Sequence, residues 1–570
     1  MDEKLYIIDS LSPFFLKTSK SIVNWSKVPF DSLEGKRKTI NKKFKKIVDR
    51  IRSYFENISA LGYNAVSIDD LAHLTVFNFY SRTLKIKIAI YRKYYKKIFS
   101  IANQYGLKVF INSDIMFYNR YIKLYLQKKR LKETVLLKKA ISDLFKDFKH
   151  VSGVNLRIGE SDGVDVKGKF RSNVIIKTPE QLNTLIKALI PVCNEAQKYC
   201  IVRTWTMGAY KVGDLAWNVK TFNVAFKDII YEKFIVSMKY ADADFFRYLP
   251  LNDLFFNTKC KKIIELQSRR EYEGHGTFPS YVGYDYYDMY KKLESNTTIA
   301  GIHVWCQTGG WSGFVNRTFL KKSSIWNEIN TVAVIKIFKD ALNSTEVIKY
   351  IARDYLKIYD YRKFESFLLL SEDVIKNLLY DPGFASQSLY FNKLRIPPLL
   401  YIFWDTVVIN RFIVLFFRFF NKNQANTIIQ GEKALHSIIS MGRIAKELHL
   451  DYDVKFQYYT CKIILYARKL LYGGNNVVIS LQLKRMIQKY RDRYPFGYTF
   501  RIDFNAFEKR TFFNPFFKFF VRNKKEFRKI DYFLFNSISK KIILLVVKLF
   551  KKQLSGIAGN RGMSPEFFLK

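Results

Sequence analysis

The stretch from Lys239 to Gly276 combines a lysine and several carboxylic acids with two apolar segments. Asp242 and Asp244 lie in the sequence ADADFF, directly after the apolar run FIVSMKY, and Glu271 lies in REYEG, after KKIIELQ. Two carboxylates at the ends of neighbouring strands are able to activate a water molecule between them. This spacing predicts a hydrolytic enzyme site, with carbohydrate as the expected class of substrate.

A third acid, Glu160 in GESDG, follows an earlier apolar run. Cleavage of a glycosidic bond needs one carboxylic acid to protonate the leaving oxygen and one carboxylate to activate water or to attack the sugar. Acids at strand ends also occur as metal ligands or in structural ion pairs, so those two readings stay open on the residues alone. Asp242 competes with Asp244, since both have the same strand parity.

Short strand-like runs alternate with helical patterns through the first 330 residues, as a parallel (β/α)₈ barrel requires. The eight predicted strands lie in the segments 5–9, 62–70, 107–114, 153–163, 200–208, 234–240, 261–267 and 300–306. Their C-terminal ends are polar, and chemistry occurs at that end of such a barrel. A doubly wound open sheet is the alternative, but its glycine-rich turn is missing after the first run.

Helical patterns dominate after this region, which predicts a barrel over residues 1–330 and a basic, mainly helical domain over 331–570. The most apolar stretch, 399–420, contains Asp405, Asn410 and Arg411, which favours a buried core helix over a membrane span. The segment 539–553 mixes lysine with apolar residues. It is compatible with a packed helix or with a helix that lies on anionic lipid.

The chain of 570 residues has a formal net charge of +46, which suggests anionic partners such as lipid headgroups, nucleic acid or acidic polysaccharide. A lysine-rich composition that only fills solvated surfaces is an equally weighted explanation. Five scattered cysteines favour a reducing compartment. The histidines lack metal-ligand spacing, so we expect no metal and no cofactor. The N-terminal residues lack the order of a secretory signal, which favours the cytoplasm.

Several of these segments together resemble glycoside hydrolase family 67, the α-glucuronidases. The motifs that carry the resemblance, over residues 60–345 and in the family's order, are GYNAVSIDDLA, YGLKVFINSD, GVNLRIGESDG, IVRTWT, MKYADADFF, IIELQSRREYEGHG and SSIWNEINTVAVIKIFKD. GESDG is similar to the family's SEG, which carries the general acid. A shift of one or two residues in that alignment would move the acid from Glu160 to Asp162.

The resemblance implies an inverting hydrolysis of a glycosidic bond at a uronic acid. It assigns the general acid to Glu160 and the activation of water to Asp244 and Glu271. It also implies that Arg203 and Lys239 bind the uronate carboxylate, a role that suits a guanidinium and an ammonium.

Two further residues are expected to bind substrate. Arg157 is the basic residue near the predicted acid, and Trp311, in the glycine-flanked loop QTGGWSG, is expected to stack on a sugar ring. Trp205, Trp305, His275 and His303 are read as packing or structural residues, and Glu265, deep in its strand, as scaffold.

The expected partner is an oligosaccharide or polysaccharide that contains a uronic acid, with peripheral contact to the inner face of the cell membrane as an option, and a homodimer is compatible with the sequence. One alternative is a glycosyl-transferring enzyme of surface polysaccharide assembly. Another is a non-catalytic barrel that binds polyanions or membranes. Nucleic acid is disfavoured as a partner because the basic residues are spread along the chain rather than grouped in a known module.

Overall fold

A computed structural model of the chain describes residues 3–16, 27–158, 170–206, 208, 210–307, 317–320, 324–508 and 514–549. Within these residues, eight parallel strands form a closed barrel, each paired with its neighbours along the chain and the first with the last. The strands are β1 Leu5–Asp9, β2 Ala65–Asp69, β3 Lys108–Asp114, β4 Val151–Arg157, β5 Tyr199–Arg203, β6 Phe234–Lys239, β7 Lys262–Gln267 and β8 Ile299–Trp305. The predicted (β/α)₈ fold is confirmed.

The barrel strands are buried along almost their whole length. Such strands have one side chain facing the barrel axis and the next facing the helices, so both faces need apolar or paired residues. Gly301 allows β8 to close against β1. A Cβ at this position would lie 1.9 Å from the Leu5 carbonyl oxygen, and the residue has a φ of +149°.

Helices surround the barrel between its strands. They are α1 Arg37–Leu61, α2 Arg82–Gln104, α3 Arg120–Lys129, α4 Glu133–Asp147, α5 Pro179–Glu195, α6 Val219–Ala225, α7 Gly283–Leu293 and α8 Ile325–Phe338. In α1, Ile40, Phe44, Ile47 and Ile51 recur every three or four residues and are buried, whereas the lysines between them face solvent. Much of the positive charge in the first 150 residues therefore lies on the outer helices.

The C-terminal region is mostly helical. Its helices are α9 Ser344–Lys349, α10 Tyr361–Val374, α11 Pro382–Ala385, α12 Arg411–Phe420, α13 Gln424–Glu447, α14 Val454–Gly473, α15 Val477–Arg493, α16 Asn514–Phe520, α17 Lys529–Leu534 and α18 Ser537–Leu549. Two π-helical turns, Tyr350–Tyr355 and Ile375–Leu379, extend α9 and α10. The predicted division at residue 330 stays a prediction, and α8 runs across that position.

Short strands also occur in this region. Tyr390–Phe391 pairs with Leu394–Arg395 and with Val521–Arg522, and Thr406–Ile409 pairs with Ile402–Phe403 and with Thr499–Ile502. A two-residue ladder of Phe117–Tyr118 with Arg171–Ser172 lies beside the barrel.

The prediction of one core helix over residues 399–420 is wrong for its first half. Residues 402–409 form a hairpin, and α12 begins only after Asn410, whose side chain accepts a hydrogen bond from the Ile413 amide at 3.0 Å. The β-branched run TVVI favours the strand. In the part of the chain that the structure describes, no helix is long and apolar enough to cross a membrane.

Candidate active site

A buried carboxylate inside the barrel, Glu265 of β7, binds four side-chain donors. The Arg203 guanidinium donates to both carboxylate oxygens, at 2.8 Å and 2.7 Å. Ser237 donates to Oε1 at 2.9 Å and the Trp305 indole to Oε2 at 3.1 Å. Burial alone would raise the pKa of Glu265, but the Arg203 charge and its hydrogen bonds outweigh this and lower the pKa to about 2. Glu265 is therefore a charged scaffold residue that joins β5, β6, β7 and β8.

The mouth of the barrel holds a second network, centred on Asp244 in the segment that follows β6. Lys239, the last residue of β6, donates to Asp244 Oδ1 at 2.6 Å, and the Phe245 amide donates to the same oxygen at 2.9 Å. Tyr272 donates to Oδ2 at 3.0 Å. The Asp244 side chain is thus held from two strand ends, because Tyr272 follows β7.

Lys239 connects the two networks. Its Cα is paired with that of Glu265 in the β6–β7 register, and its charge contributes to the low pKa of Glu265. The ammonium lies 3.6 Å from the centre of the Trp205 ring and 4.7 Å from that of Phe245. An ammonium has three donors, of which one donates to Asp244. The Lys239 ammonium therefore lies close to the rings of Trp205 and Phe245 and to the carboxylate of Asp244.

Asp242 has different partners from Asp244. Tyr390 donates to Asp242 Oδ2 at 2.7 Å, and the Arg395 guanidinium lies 3.6 Å from Oδ1. Both partners belong to the C-terminal region, so Asp242 joins that region to the barrel. Asp244, in contrast, faces Lys239 and Tyr272 at the mouth.

Glu271 adjoins Tyr272 in the segment after β7. It is only 2% exposed, and its amide donates to the Gln267 side chain at 3.0 Å. Burial lowers the pKa of Arg269 to about 10, and this effect outweighs the charges of Cys306, Asp9 and Glu271, which raise the pKa. Asp244 and Glu271 thus follow two adjacent strands, β6 and β7. Tyr272 contacts Asp244 and is next to Glu271 in the sequence.

The segment that carries Glu271 is anchored by Glu273, which the sequence analysis did not single out. Arg270 donates to both Glu273 oxygens, at 3.0 Å and 2.5 Å, and Tyr380 of the C-terminal region donates at 2.8 Å. Burial would raise the pKa of Glu273, but the charges of Arg270 and Arg247 lower it to about 2. The sequence RREYEG contains two acids and two arginines. This composition indicates that one of the acids forms a structural ion pair with arginine.

The basic residues predicted to bind substrate are all charge-paired. Arg157 is 1% exposed, with its Nε 2.9 Å from Asp114 and its Nη2 3.5 Å from Asp69. Arg203 holds Glu265 and Lys239 holds Asp244, as described above. The substrate-binding roles of these residues stay predictions.

Three predicted or alternative site residues, Glu160, Asp162 and Trp311, lie outside the described residues. His303 contacts Ser67 at 2.9 Å, and burial lowers its pKa to about 3. Burial, together with the charge of Arg269, also lowers the pKa of His275 well below its ordinary value. Within the described ranges, no group of His, Cys, Asp and Glu residues could hold a metal ion.

Comparison with known proteins identifies the fold alone. No protein-family model and no curated protein matches the chain. Among solved structures, it is similar to a GH138 enzyme that targets the pectin rhamnogalacturonan II, with a TM-score of 0.50, 11% identity and coverage of 86% of this chain and 62% of that chain. The chain thus spans about three fifths of that enzyme.

Two other glycoside hydrolases are more distant. A GH115 4-O-methyl-α-glucuronidase with specificity for decorated arabinogalactans has a TM-score of 0.39 at 11% identity, with 89% and 62% coverage of this chain and that one. An O-GlcNAc hydrolase from Thermobaculum terrenum has a TM-score of 0.39 at 10% identity, with 91% and 96% coverage. None of these three structures is a family 67 enzyme, and the resemblance to that family stays a prediction.

Proposed function

We propose that the protein is a glycoside hydrolase that cleaves a glycosidic bond next to a uronic acid. The observation that carries the proposal is the position of Asp244 and Glu271 in the segments that follow two adjacent strands, β6 and β7, of a closed barrel. Tyr272, the residue after Glu271, donates a hydrogen bond to Asp244. Paired carboxylates at this edge are what acid–base hydrolysis of a glycoside requires. The barrel likeness to the GH138 enzyme supports the same class of reaction.

In the proposed reaction, Glu160 is the general acid and Asp244 with Glu271 activates the attacking water. Lys239 and the Phe245 amide keep one Asp244 oxygen hydrogen-bonded, and Tyr272 holds the other. These contacts fix the carboxylate in one orientation, which is how an enzyme avoids reorganisation during the reaction. In an inverting reaction the product sugar has the opposite anomeric configuration to the substrate.

Lys239 is the residue that best supports a uronic acid substrate. Its ammonium has donors beyond the one given to Asp244, and it lies over the Trp205 ring. Arg203 and Arg157 add positive charge deeper in the barrel, although each already holds a carboxylate. Of these three cations, Lys239 lies nearest the C-terminal end of the barrel, because Arg203 and Arg157 are level with Ser237, two residues earlier in β6.

The experiment compares matched substrates. The full chain is incubated with oligosaccharides that end in an α-linked uronic acid and with the same oligosaccharides after reduction of the carboxyl group to the neutral sugar. We expect hydrolysis of the first set, at least about tenfold faster than of the second, since one charge-assisted hydrogen bond contributes about 1.5–3 kcal/mol. Proton NMR of the first product should show the β-anomer.

Other outcomes would contradict the proposal. An initial α-anomer would exclude inversion, and equal rates on both substrate sets would exclude selection of the carboxylate. Release of sugar only when an acceptor glycan is added would identify a glycosyl-transferring enzyme instead. No reaction with either set, together with no effect of Glu271→Gln in the native host, would favour the non-catalytic binding role.

A further inference from the structure

The last described helix presents its apolar side to solvent. In α18, Ile538, Ile542 and Leu545 are 74%, 60% and 60% exposed. Their spacing of four and then three residues places them on one face of the helix. A helix on the surface of a globular protein normally turns this face inward, so the arrangement is the reverse of the usual one.

The preceding helix also exposes apolar side chains. Tyr532 and Phe533 of α17 are 69% and 67% exposed, and α17 contacts α18. Asn536 connects the two helices and accepts hydrogen bonds from the Ile538 and Ser539 amides, at 3.0 Å and 2.9 Å. We call Tyr532, Phe533, Ile538, Ile542 and Leu545 the C-terminal apolar face. Single exposed apolar residues are ordinary, but a group of this size marks an interaction surface.

The residues around this face are strongly basic. The sequence from 514 to 549 contains nine lysines and arginines and two acids. Lys541 is exposed and lies on the same helical face as Ile538 and Ile542. A second copy of the chain would bring the same positive charge to the contact, on top of a net charge of +46 on each copy. Charge therefore disfavours a dimer here and favours an anionic partner.

We propose that the C-terminal apolar face binds the surface of an anionic lipid membrane. The apolar side chains would enter the boundary between headgroups and acyl chains, and the lysines would contact the anionic headgroups. Aromatic residues such as Tyr532 are well suited to this boundary because they combine an apolar ring with a polar group. The 13 described residues of α18 extend about 20 Å, less than the hydrocarbon core of about 30 Å. It would lie in the plane of the interface.

The face is connected to the mouth end of the barrel. Phe535, which follows α17, packs against Phe391 with ring centres 5.4 Å apart. The next residue towards the N-terminus, Tyr390, binds Asp242 beyond the C-terminal end of β6. The helices that carry the face are therefore joined, through Phe391 and Tyr390, to the segment that follows β6.

The test is co-sedimentation of the purified full chain with vesicles. Vesicles of phosphatidylcholine alone are compared with vesicles of phosphatidylcholine mixed with phosphatidylglycerol, at low and at high salt. We expect binding to the anionic vesicles that weakens with salt, and little binding to the neutral ones. The variant Ile538→Ser/Ile542→Ser/Leu545→Ser should lower the partition coefficient at least about tenfold, because it removes the apolar part of the contact.

A matched control variant makes the same three changes elsewhere. Ile86, Leu369 and Ile429 are 50%, 50% and 48% exposed on α2, α10 and α13, and their serine variant should bind vesicles as the unchanged protein does. Equal loss in both variants, or no binding to anionic vesicles, would overturn the proposal. So would a dimer in sedimentation velocity that the α18 variant alone abolishes. Circular dichroism checks that each variant is folded.

Discussion

The inside of the barrel and its mouth each contain a buried carboxylate that binds a cation, but the two networks differ in what they join. Glu265 receives all its donors from strands β5, β6 and β8, and these strands fix each donor in place. Asp244 receives its donors from the end of β6 and from two connecting segments. The first network holds strands together, whereas the second holds side chains in the segments that follow the C-terminal ends of β6 and β7.

The difference shows that burial and pairing alone do not identify a catalytic acid. Glu265, Glu271 and Asp244 are 0%, 2% and 6% exposed, so all three would be read as structural by burial. Position along the barrel separates them: Glu265 lies within its strand, and the other two lie beyond a strand end. Exchange of each carboxylate for its amide should therefore affect catalysis at the mouth and stability inside.

The largest expected effect is on catalysis by Glu271→Gln. The amide has the size of the acid but cannot accept a proton from water, and general acid–base catalysis contributes about 10²–10⁴-fold to a rate. We expect kcat to fall by about this factor while the circular dichroism spectrum stays unchanged. Initial rates on the uronic acid oligosaccharides provide the measurement.

Asp242→Asn is the matched control for this prediction. It changes a buried acid in the segment after β6, the strand next to the one that Glu271 follows, and the partners of Asp242, Tyr390 and Arg395, lie in the C-terminal region. We expect it to retain most of the activity. If Asp242→Asn is inactive and Glu271→Gln is active, the assignment of the catalytic acids is wrong.

The second effect is on stability, by Glu265→Gln. Removing one partner of a buried ion pair costs about 3–5 kcal/mol because the other charge, here Arg203, stays buried. Urea unfolding measures the loss. Replacing both residues, as Glu265→Gln/Arg203→Met, should recover part of it, since no unpaired charge then remains. Normal stability with abolished activity in Glu265→Gln would instead indicate a catalytic role.

Acid unfolding provides a second readout of the same network. The folded-state pKa of Glu265 is lowered from 4.5 to about 2, so its contribution to stability is complete above pH 4.5 and is lost as the pH falls through about 2. The shift corresponds to about 3 kcal/mol at 1.4 kcal/mol per pH unit. Between pH 5 and pH 2 the unfolding free energy of Glu265→Gln should therefore decline less steeply than that of the unchanged protein.

Much of the fold was predictable from sequence because each barrel strand is a local apolar run with a polar end. The strand LYIID, for example, coincides with Leu5–Asp9. The C-terminal sheets were not predicted. Tyr390–Phe391 pairs with Val521–Arg522, which is far along the chain (Phe391 pairs with Val521, and 521 minus 391 is 130), and strands of two residues leave no periodic pattern.

The site was predictable only in part. The parity rule could not separate Asp242 from Asp244, because residues 240–246 are not a strand and alternate side chains need not share a face. The partner that distinguishes Asp242, Tyr390, is 148 residues away. Likewise, no local pattern indicates that the Arg203 guanidinium binds Glu265, because the contact joins β5 to β7, past the intervening β6, and the two residues are 62 positions apart.

The smallest effect is expected from Tyr272→Phe, which tests whether the mouth network positions Asp244. The change removes one hydrogen bond to Oδ2 and keeps the ring, which stacks on Phe246 at 4.6 Å. A hydrogen bond to a carboxylate contributes about 1.5–3 kcal/mol, so we expect kcat to fall at least about tenfold with KM almost unchanged. The control is Tyr355→Phe, which removes a comparable bond to Glu328 outside the barrel mouth, at 2.8 Å. If the role of Tyr272 is purely structural, Tyr272→Phe should lower the unfolding free energy as Tyr355→Phe does and should leave kcat unchanged, since only a residue that orients the reacting carboxylate changes kcat without changing substrate binding.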